Sequence, residues 1–383
     1  MNKNISREQV FSSGIEFKGK NINHLKFKLK SRAQATMTLY DNKLYIFGGL
    51  NNSSLGDLWI NDFTSKLNYK IDNFSWTIIN TRVEPLPRYG HTAVLYKKEI
   101  YIYGGATDNT FIGREDIVIY DIEKKRFKIE ENTFNKANFK WRRNHTADMV
   151  GNHMVIYGGI DDMGNILDDL WALDLNLTLR WNFIDTKGKQ KALAHHCSTL
   201  IVSSEKKNHP QFNLFKFPDL PSGRTTIRGS KVEGIAFFGG IDDERCVNNE
   251  FKILKIGKKP LEWVTPIVKG TLPEGRQNAT LNFYEALNVL ILFGGQNQRQ
   301  EYLNDLFVLD LDTFNWMKVL LYQDIPMIRS EHCSAIINNQ LVIFGGINGE
   351  IYVGSDIFIV NLDIFEKKSN AFNKFVKRIN LYK

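Results

Sequence analysis

Six apolar runs in this sequence each end in two consecutive glycines. The runs are LYIFGG, IYIYGG, MVIYGG, IAFFGG, LILFGG and LVIFGG, and their glycine pairs are Gly48 and Gly49, Gly104 and Gly105, Gly158 and Gly159, Gly239 and Gly240, Gly294 and Gly295, and Gly345 and Gly346. Successive pairs are 56, 54, 81, 55 and 51 residues apart. The near-constant spacing indicates one structural unit used six times, with extra chain between the third and fourth pairs.

Each unit contains four strand-like segments. The first starts with an arginine in five units, with Leu193 in its place in the fourth, and continues with small residues such as Thr, Ser, Cys and Ala. The second is the run before the glycines, and its unbroken apolar content predicts a strand buried on both faces. The third opens with Asp, or with Glu250 in the fourth unit. The fourth is centred on an aromatic residue in five units: Trp76, Phe127, Trp181, Trp263 and Trp316.

This arrangement resembles the Kelch-repeat β-propeller family over about Leu25 to Leu362. The resemblance implies an all-β, six-bladed propeller with four antiparallel strands per blade. In this family the propeller is usually a protein-binding platform, and no accompanying catalytic or BTB domain is expected here. Glycine is expected at the pairs because it accepts a positive φ and lets another backbone or a ring approach closely.

Closure of the ring requires a strand from outside the sixth unit, because that unit lacks its fourth segment. We expect HLKFKLK, with Leu25, Phe27 and Leu29 alternating with lysines, to complete the last blade. The expected organisation is an N-terminal extension at 1–22, one propeller domain at 23–365 and a basic tail at 366–383, either docked or disordered. The inserted segment at 203–231 in blade 4 contains several Phe and Leu residues, which favour packing on the blade over partner binding.

Composition excludes some function classes and leaves others open. The 383 residues have a net charge of +8, but the lysines are scattered, so a nucleic-acid-binding arm is not expected. We expect no membrane span, because no apolar run is long enough to cross a bilayer. We find no secretory signal, and three widely separated cysteines predict reduced thiols. These features predict a monomeric protein of the cytoplasm, with the nucleus as the alternative.

Antiparallel connectivity places the loops between strands two and three on the same face as the loops entering strand one. We predict that this face binds a protein partner through twelve side chains: Arg32, Arg88, Arg142, Arg143, Arg276, Arg329, Asp108, Arg114, Asp161, Asp162, Arg245 and Arg299. For the repeated arginines, the favoured alternative is a tie between strands, with the acid of strand three as one candidate partner. The glycine pairs and Trp76, Trp181, Trp263 and Trp316 are expected to be structural.

The function predicted from the sequence is therefore a non-catalytic interaction module, an adaptor or scaffold, without metal or cofactor. His91, His145, His196 and His332 recur at one register and are expected to be core groups rather than metal ligands. The chain contains no HExxH motif, nucleophile elbow, phosphate loop or dinucleotide fingerprint. The alternatives are a mutarotase- or oxidase-like enzyme that uses the channel mouth, and a structural or cytoskeleton-associated scaffold.

Overall fold

Six four-stranded sheets surround a central channel. In the computed structural model, each innermost strand lies beside the innermost strands of both neighbouring blades, and the first also lies beside the sixth. The strands of each blade follow one another outward in an antiparallel meander, so the predicted all-β, six-bladed propeller is confirmed. The structure describes residues 15–22, 29–62, 76–108, 116–131, 139–176, 179–188, 190–207, 212–215, 233–354 and 357–362.

The blades have the following strands, from the channel outward. Blade 1 contains Thr36–Tyr40, Lys43–Phe47, Leu58–Asp62 and Trp76–Ile78, and blade 2 contains Tyr89–Tyr96, Glu99–Ala106, Ile117–Asp121 and Arg126–Glu130. Blade 3 contains Thr146–Val150, His153–Tyr157, Leu170–Asp174 and Arg180–Phe183, and blade 4 contains Cys197–Ile201, Gly234–Phe238, Phe251–Lys255 and Leu261–Val264. Blade 5 contains Thr280–Tyr284, Val289–Gln296, Tyr302–Asp310 and Asn315–Gln323, and blade 6 contains Cys333–Ile337, Gln340–Phe344 and Ile357–Asn361.

The outermost strand of blade 6 is Ile15–Ile22, which we call the closing strand. Residues 19–22 pair antiparallel with Ile357–Asn361 of blade 6. Closure by an N-terminal strand is therefore confirmed, but the predicted segment is wrong: the strand precedes HLKFKLK and lies inside the predicted extension at 1–22. Both segments alternate in polarity, so the period of two alone could not choose between them. Residues 23–28 and the C-terminal tail lie outside the described residues.

The outer strands also form parallel contacts from one blade to the next. Residues 319–323, at the end of the outer strand of blade 5, pair in parallel with residues 15–19 of the closing strand. Two short strands do the same at earlier junctions: Thr186–Lys187 pairs with the outer strand of blade 4, and Lys269–Gly270 pairs with that of blade 5. The closing strand therefore joins blade 5 to blade 6 and completes the last sheet. The loops between strands two and three of blades 1 and 6 each contain a short hairpin. These hairpins are Leu50–Asn51 with Ser53–Ser54 and Ile347–Asn348 with Ile351–Tyr352.

The glycine pairs lie where the backbone of the following blade comes closest. A Cβ on Gly158 would lie 2.1 Å from the carbonyl oxygen of Leu193, and the φ of Gly158 is +66°. The amide of Gly159 donates to the same carbonyl at 2.8 Å. The equivalent bond joins every blade to the next, including Gly346 of blade 6 to Arg32 of blade 1. The first glycine of each pair therefore lies against the backbone of the next blade, whereas the second lies against the start of strand one in its own blade.

A second contact between blades involves histidine and threonine. His91, His145, His196 and His332 are buried, and the Nε2 atom of each shares a hydrogen bond with a threonine of the preceding blade. These threonines are Thr36, Thr92, Thr146 and Thr280, at 2.8 to 3.1 Å. At the other two junctions the threonine is replaced by cysteine and the histidine by alanine. The two positions thus change together, because a histidine without its threonine would bury an unpaired nitrogen.

The described part of the insertion packs against blades 3 and 4. It begins with a short helix, α1 (Ser204–Lys207), and continues with Phe212 and Leu214, which are buried in the core shared by blades 3 and 4. The amide of Gly257 donates to the carbonyl oxygen of Leu214 at 2.9 Å. This part of the insertion therefore packs against blades 3 and 4, as the sequence favoured. A 3₁₀ turn at Glu285–Leu287 connects the first two strands of blade 5.

Candidate functional site at the channel mouth

The loops between strands two and three and the loops entering strand one lie on one face, which we call the channel-mouth face. It was predicted to carry five repeated arginines, but Arg32, Arg88, Arg142, Arg276 and Arg329 are all at most 3% exposed. The guanidinium of Arg142 donates to both carboxylate oxygens of Asp169, at 2.5 and 3.0 Å, and to the carbonyl oxygen of Gly158 at 3.0 Å.

The other repeated arginines use the same contacts within their own blades. Arg32 pairs with Asp57, Arg88 with Asp116 and Arg276 with Asp305, and Arg329 donates to the carbonyl oxygen of Gly345. The prediction that these five arginines grip a partner is therefore corrected. A guanidinium can donate to the carbonyl oxygen of the first glycine and to the carboxylate of strand three at the same time. The buried arginine therefore stabilises the contact between strands of its own blade. The Arg32 and Arg142 guanidiniums hold the pKa of Asp57 and Asp169 below the usual carboxyl value despite burial, which acts in the opposite direction.

The channel mouth itself is built two residues after each arginine register. These six positions are occupied by Gln34, Gly90, Asn144, His195, Asn278 and Glu331, and all six have positive φ between +53° and +66°. Each backbone amide donates to the carbonyl oxygen of the same position in the preceding blade, at 2.8 to 3.2 Å, and Gln34 donates to Glu331. Six backbone hydrogen bonds thus form a closed circle, which we call the mouth ring. It satisfies backbone groups that would otherwise line the channel unpaired.

The side chains of the mouth ring form a second, incomplete circle. The Nδ2 group of Asn144 donates to Nε2 of His195 at 3.2 Å, and Nδ1 of His195 donates to Oδ1 of Asn278 at 2.8 Å. Asn278 in turn donates to the carboxylate of Glu331 at 3.4 Å, and Gln34 bonds the same carboxylate from the other side. The circle is open only at Gly90, which has no side chain. A cavity of about 170 Å³ lies inside the circle, lined by all six mouth-ring residues and by the alanine or histidine that follows each of them.

Burial controls the charge of the two titratable groups in the ring. It lowers the pKa of His195 to about 4, with Arg143 and Arg245 adding to the effect and the Asn278 hydrogen bond opposing it. A neutral imidazole is also what the two hydrogen bonds require, since one nitrogen donates and the other accepts. Burial raises the pKa of Glu331, against the hydrogen bond from Gln34. Neither group is therefore an exposed, free acid or base.

The remaining predicted residues have different surroundings. Asp161 is buried and holds its own loop, accepting from the amides of Met163 and Asn165 and from Lys140. It is therefore corrected to a structural residue. Asp108, Asp162, Arg245 and Arg299 are exposed and Arg143 is half-buried. Arg114 lies outside the described residues.

Several of these exposed groups join the loops of neighbouring blades. Arg245 of blade 4 donates to the carbonyl oxygen of Gly164 in blade 3 at 2.9 Å. The carboxylate of Asp108 in blade 2 accepts from the amide of Ser54 in blade 1 at 2.5 Å. Val247 donates its amide to Gln298 of blade 5 at 2.6 Å. These bonds join the loops of blades 1 and 2 and the loops of blades 3, 4 and 5, and we call these loops together the rim.

The mouth ring was missed at the level of sequence because its six residues share no chemical type. Their common property is the left-handed backbone conformation, which glycine, asparagine and histidine adopt more readily than glutamine and glutamate do. Aligning the units on the arginine would have identified the register. Among the described residues, no three His, Cys, Asp or Glu side chains are grouped so as to hold a metal ion. In the part of the chain that is described, no helix is long and apolar enough to cross a membrane.

Comparison with known proteins agrees with this geometry. Residues 34–207 and 226–374 match the KLHDC2/KLHL20/DRC7 Kelch-repeats domain. Host cell factor 1 of Homo sapiens is 27% identical over 278 residues, 68% of this chain and 12% of that protein. The leucine-zipper-like transcriptional regulator 1 homolog of Drosophila melanogaster is 26% identical over 329 residues, 82% of this chain and 29% of that protein.

Kelch domain-containing protein 3 of Bos taurus is 24% identical over 266 residues, which is 69% of this chain and 62% of that protein. The chain thus spans less than two thirds of the length of each of these relatives. The matched segments include all six glycine pairs and the mouth ring. By its six glycine-paired blades and by this match over most of its length, the chain belongs to the Kelch-repeat β-propeller family.

Proposed function

We propose that this propeller is a protein-interaction module that binds a segment of a partner protein on the channel-mouth face. The observation that carries the proposal is the difference in burial between the repeated and the non-repeated polar residues on this face. The arginines and histidines that recur from blade to blade are buried in hydrogen bonds of the scaffold, whereas Asp162, Arg245 and Arg299 are exposed. Side chains that the fold does not need are the ones available for recognition.

The charge around the mouth is uneven and supports a partner with a complementary pattern. Arg143 and Arg245 both act on the pKa of His195, so two positive charges lie on one side of the ring. Asp108 acts on the pKa of Tyr89, on the neighbouring part of the rim. An acidic residue of the partner would pair with the two arginines, whose guanidiniums favour carboxylates.

The rigid rim favours recognition of a preformed segment. The mouth ring and the loop-to-loop bonds fix the positions of the recognition side chains before a partner arrives. A preorganised surface loses little conformational entropy on binding, so a small footprint can still give a specific complex. This supports the role of adaptor or scaffold. The three cysteines are free, in keeping with a role in the cytoplasm or the nucleus.

The enzyme alternative has less support from the same site. His195 uses both ring nitrogens within the mouth ring, and Glu331 accepts hydrogen bonds from both neighbours. A general base needs a free lone pair directed at the substrate, and these two groups are already occupied by the ring. The cavity inside the mouth ring leaves room for a small molecule, so a screen of sugars and metal ions by thermal shift tests the alternative directly.

The binding proposal is tested by proximity crosslinking and mass spectrometry in cells with three forms of the chain. The test variant is R143A/R245A on the channel-mouth face. The matched control is K97A/K98A, which removes two positive charges from a turn between strands one and two, on the opposite face. We expect specific partners to be lost from the first variant and kept by the second, with similar melting curves. Loss of partners from K97A/K98A but not from R143A/R245A would place the binding surface on the opposite face, where the loops between strands one and two lie.

A further inference from the structure

One position in the repeat fills the gap between neighbouring blades, and we call it the plug position. It lies three residues before the repeated arginine, or before Leu193 in blade 4. The six residues at this position are Leu29, Pro85, Phe139, Gln190, Pro273 and Pro326. Five of the six are apolar. The leucine and the three prolines are buried.

The junction of blades 2 and 3 shows what the plug contacts. Phe139 stacks on Trp181 with ring centroids 4.6 Å apart and planes at 22°, and it lies 5.7 Å from Tyr103. Tyr103 precedes the glycine pair of blade 2, and Trp181 is the aromatic of the fourth strand of blade 3. The guanidinium carbon of Arg142 lies 5.4 Å from the Phe139 ring. We call Tyr103 and Trp181 the aromatic wall. The wall, the Phe139 plug and Arg142 together fill this junction.

The junction of blades 3 and 4 has the wall but neither of the other two parts. Tyr157 and Trp263 take the places of Tyr103 and Trp181, with ring centroids 5.0 Å apart. Gln190 replaces the plug and Leu193 replaces the arginine. A cleft of about 440 Å³ lies here, with Tyr157, Trp263 and Gln190 among its lining residues. The space that the protein fills with its own side chains at a neighbouring junction is therefore open at this one.

The rim of the cleft is acidic and aromatic. Phe183 is 58% exposed at the rim, and Asp168 and Asp185 are exposed beside it. Among the described residues neither of these two carboxylates has an ion-pair partner. The neighbouring Asp169 differs, because Arg142 already holds it. The ammonium group of Lys187, on the connecting segment, is paired with Glu262.

We propose that this cleft binds an arginine side chain of a partner protein. A guanidinium stacks on aromatic rings through its flat face and donates to carboxylates along its edge, and the cleft offers both. At the neighbouring junction the protein's own Arg142 lies over an aromatic ring while it donates to a carboxylate. An anionic group of a ligand would be repelled by the carboxylates of Asp168 and Asp185.

The cleft lies outside the mouth ring and shares no lining residue with the cavity inside that ring. It opens on the same face, because its walls come from the ends of strands two and four and the start of strand three. It can therefore anchor a partner independently of the channel mouth. The R143A/R245A variant leaves it intact, so failure of one proposal does not imply failure of the other.

The test is an NMR titration of the full chain with N-acetyl-arginine amide, followed by the indole resonances of ¹⁵N-labelled tryptophan. The Trp263 resonance is assigned from W263F. N-acetyl-citrulline amide has nearly the same shape without the charge, and N-acetyl-lysine amide has the charge without the flat group. We expect a saturable shift of Trp263 with arginine, a weaker response with lysine and none with citrulline.

Two variants test the site from opposite directions. D168N/D185N keeps the shape but removes the charge, and we expect about fivefold weaker binding of the arginine probe. Q190F places at this junction the plug found at Phe139, and we expect it to abolish the shift. The control D243N/E244Q removes two exposed acids from a loop of blade 4 and should bind as the natural sequence does.

Several results would overturn the proposal. Equal binding of citrulline would show that charge is not recognised, and equal binding of lysine would show that the flat group is not. Unchanged affinity in D168N/D185N would exclude the carboxylates whether or not Q190F folds. Absence of any saturable shift of Trp263 would remove the site altogether.

Discussion

Replacing one buried arginine tests whether these residues hold the blades or bind a partner. In R142A the fork to Asp169 and the bond to the Gly158 carbonyl are both lost, and the carboxylate remains without its cation. Removing one partner of a buried ion pair costs about 3–5 kcal/mol of unfolding free energy. The Asp169 side chain is 19% exposed and keeps its bond from the Trp171 indole, so we expect the lower end, about 3 kcal/mol.

Urea denaturation followed by tryptophan fluorescence measures this loss. With a slope near 3 kcal/mol per molar urea for a chain of this size, the midpoint should fall by about 1 M. R143A is the control, because it changes the next residue, whose side chain is half-buried and outside the fork. We expect it to cost at most about 1 kcal/mol. Adding D169A to R142A should recover about 1–3 kcal/mol, because the unpaired carboxylate is removed.

The outcome that contradicts this reasoning is easily recognised. If R142A unfolds at the same urea concentration as R143A but loses its cellular partners, the arginine acts in binding and its burial has been misinterpreted. If D169A fails to improve R142A, the cost does not come from an unpaired charge. Either result would reopen the assignment of all five repeated arginines.

Three further predictions concern the histidines, the junctions and the closing strand. Burial lowers the pKa of six histidines, so the unfolded state binds more protons below pH 6.5, and stability should fall by about 1.4 kcal/mol per histidine and pH unit. Two buried carboxyls oppose this: Asp148, whose pKa is raised to about 6, and Glu331, whose pKa is also raised. The histidines are His91, His145, His153, His195, His196 and His332. Urea midpoints at pH 7.5, 6.5 and 5.5 check the slope, and a flat profile would contradict it. A double-mutant cycle of T92V and H145A should give a coupling of about 1 kcal/mol, and additivity would argue against the bond between blades 2 and 3. Deletion of residues 1–22 should lower the melting temperature, whereas an unchanged value would mean that the closing strand adds no stability.

The architecture was predictable because six units repeat the same burial pattern. Each glycine pair, strand and aromatic residue supported the same period, so errors in one unit were corrected by the others. The closing strand occurs once, and no repeat could distinguish Ile15–Ile22 from the equally alternating HLKFKLK. Single elements without internal copies are therefore where the sequence pattern failed.

The site was harder to predict because charge in a sequence does not reveal burial. Arg142 and Arg143 are adjacent and chemically identical, yet one is buried in a fork and the other is half-buried beside the mouth. The repeat separates them, since arginine recurs at the first position and not at the second. Gln190 was overlooked because a single glutamine in a loop attracts no attention. It stands out only when the five equivalent positions in the other blades are compared, because all five are apolar.

The closing strand also bears on how this protein is made. Ile15–Ile22 leaves the ribosome before any blade, but its antiparallel partner, Ile357–Asn361, is synthesised only after the five preceding blades. During translation the growing sheets stand as an open arc with two unsatisfied edges, and such edges pair readily with other chains. The circle can therefore close only after Ile357–Asn361 has been synthesised. Until that point the strand Ile15–Ile22 has no antiparallel partner.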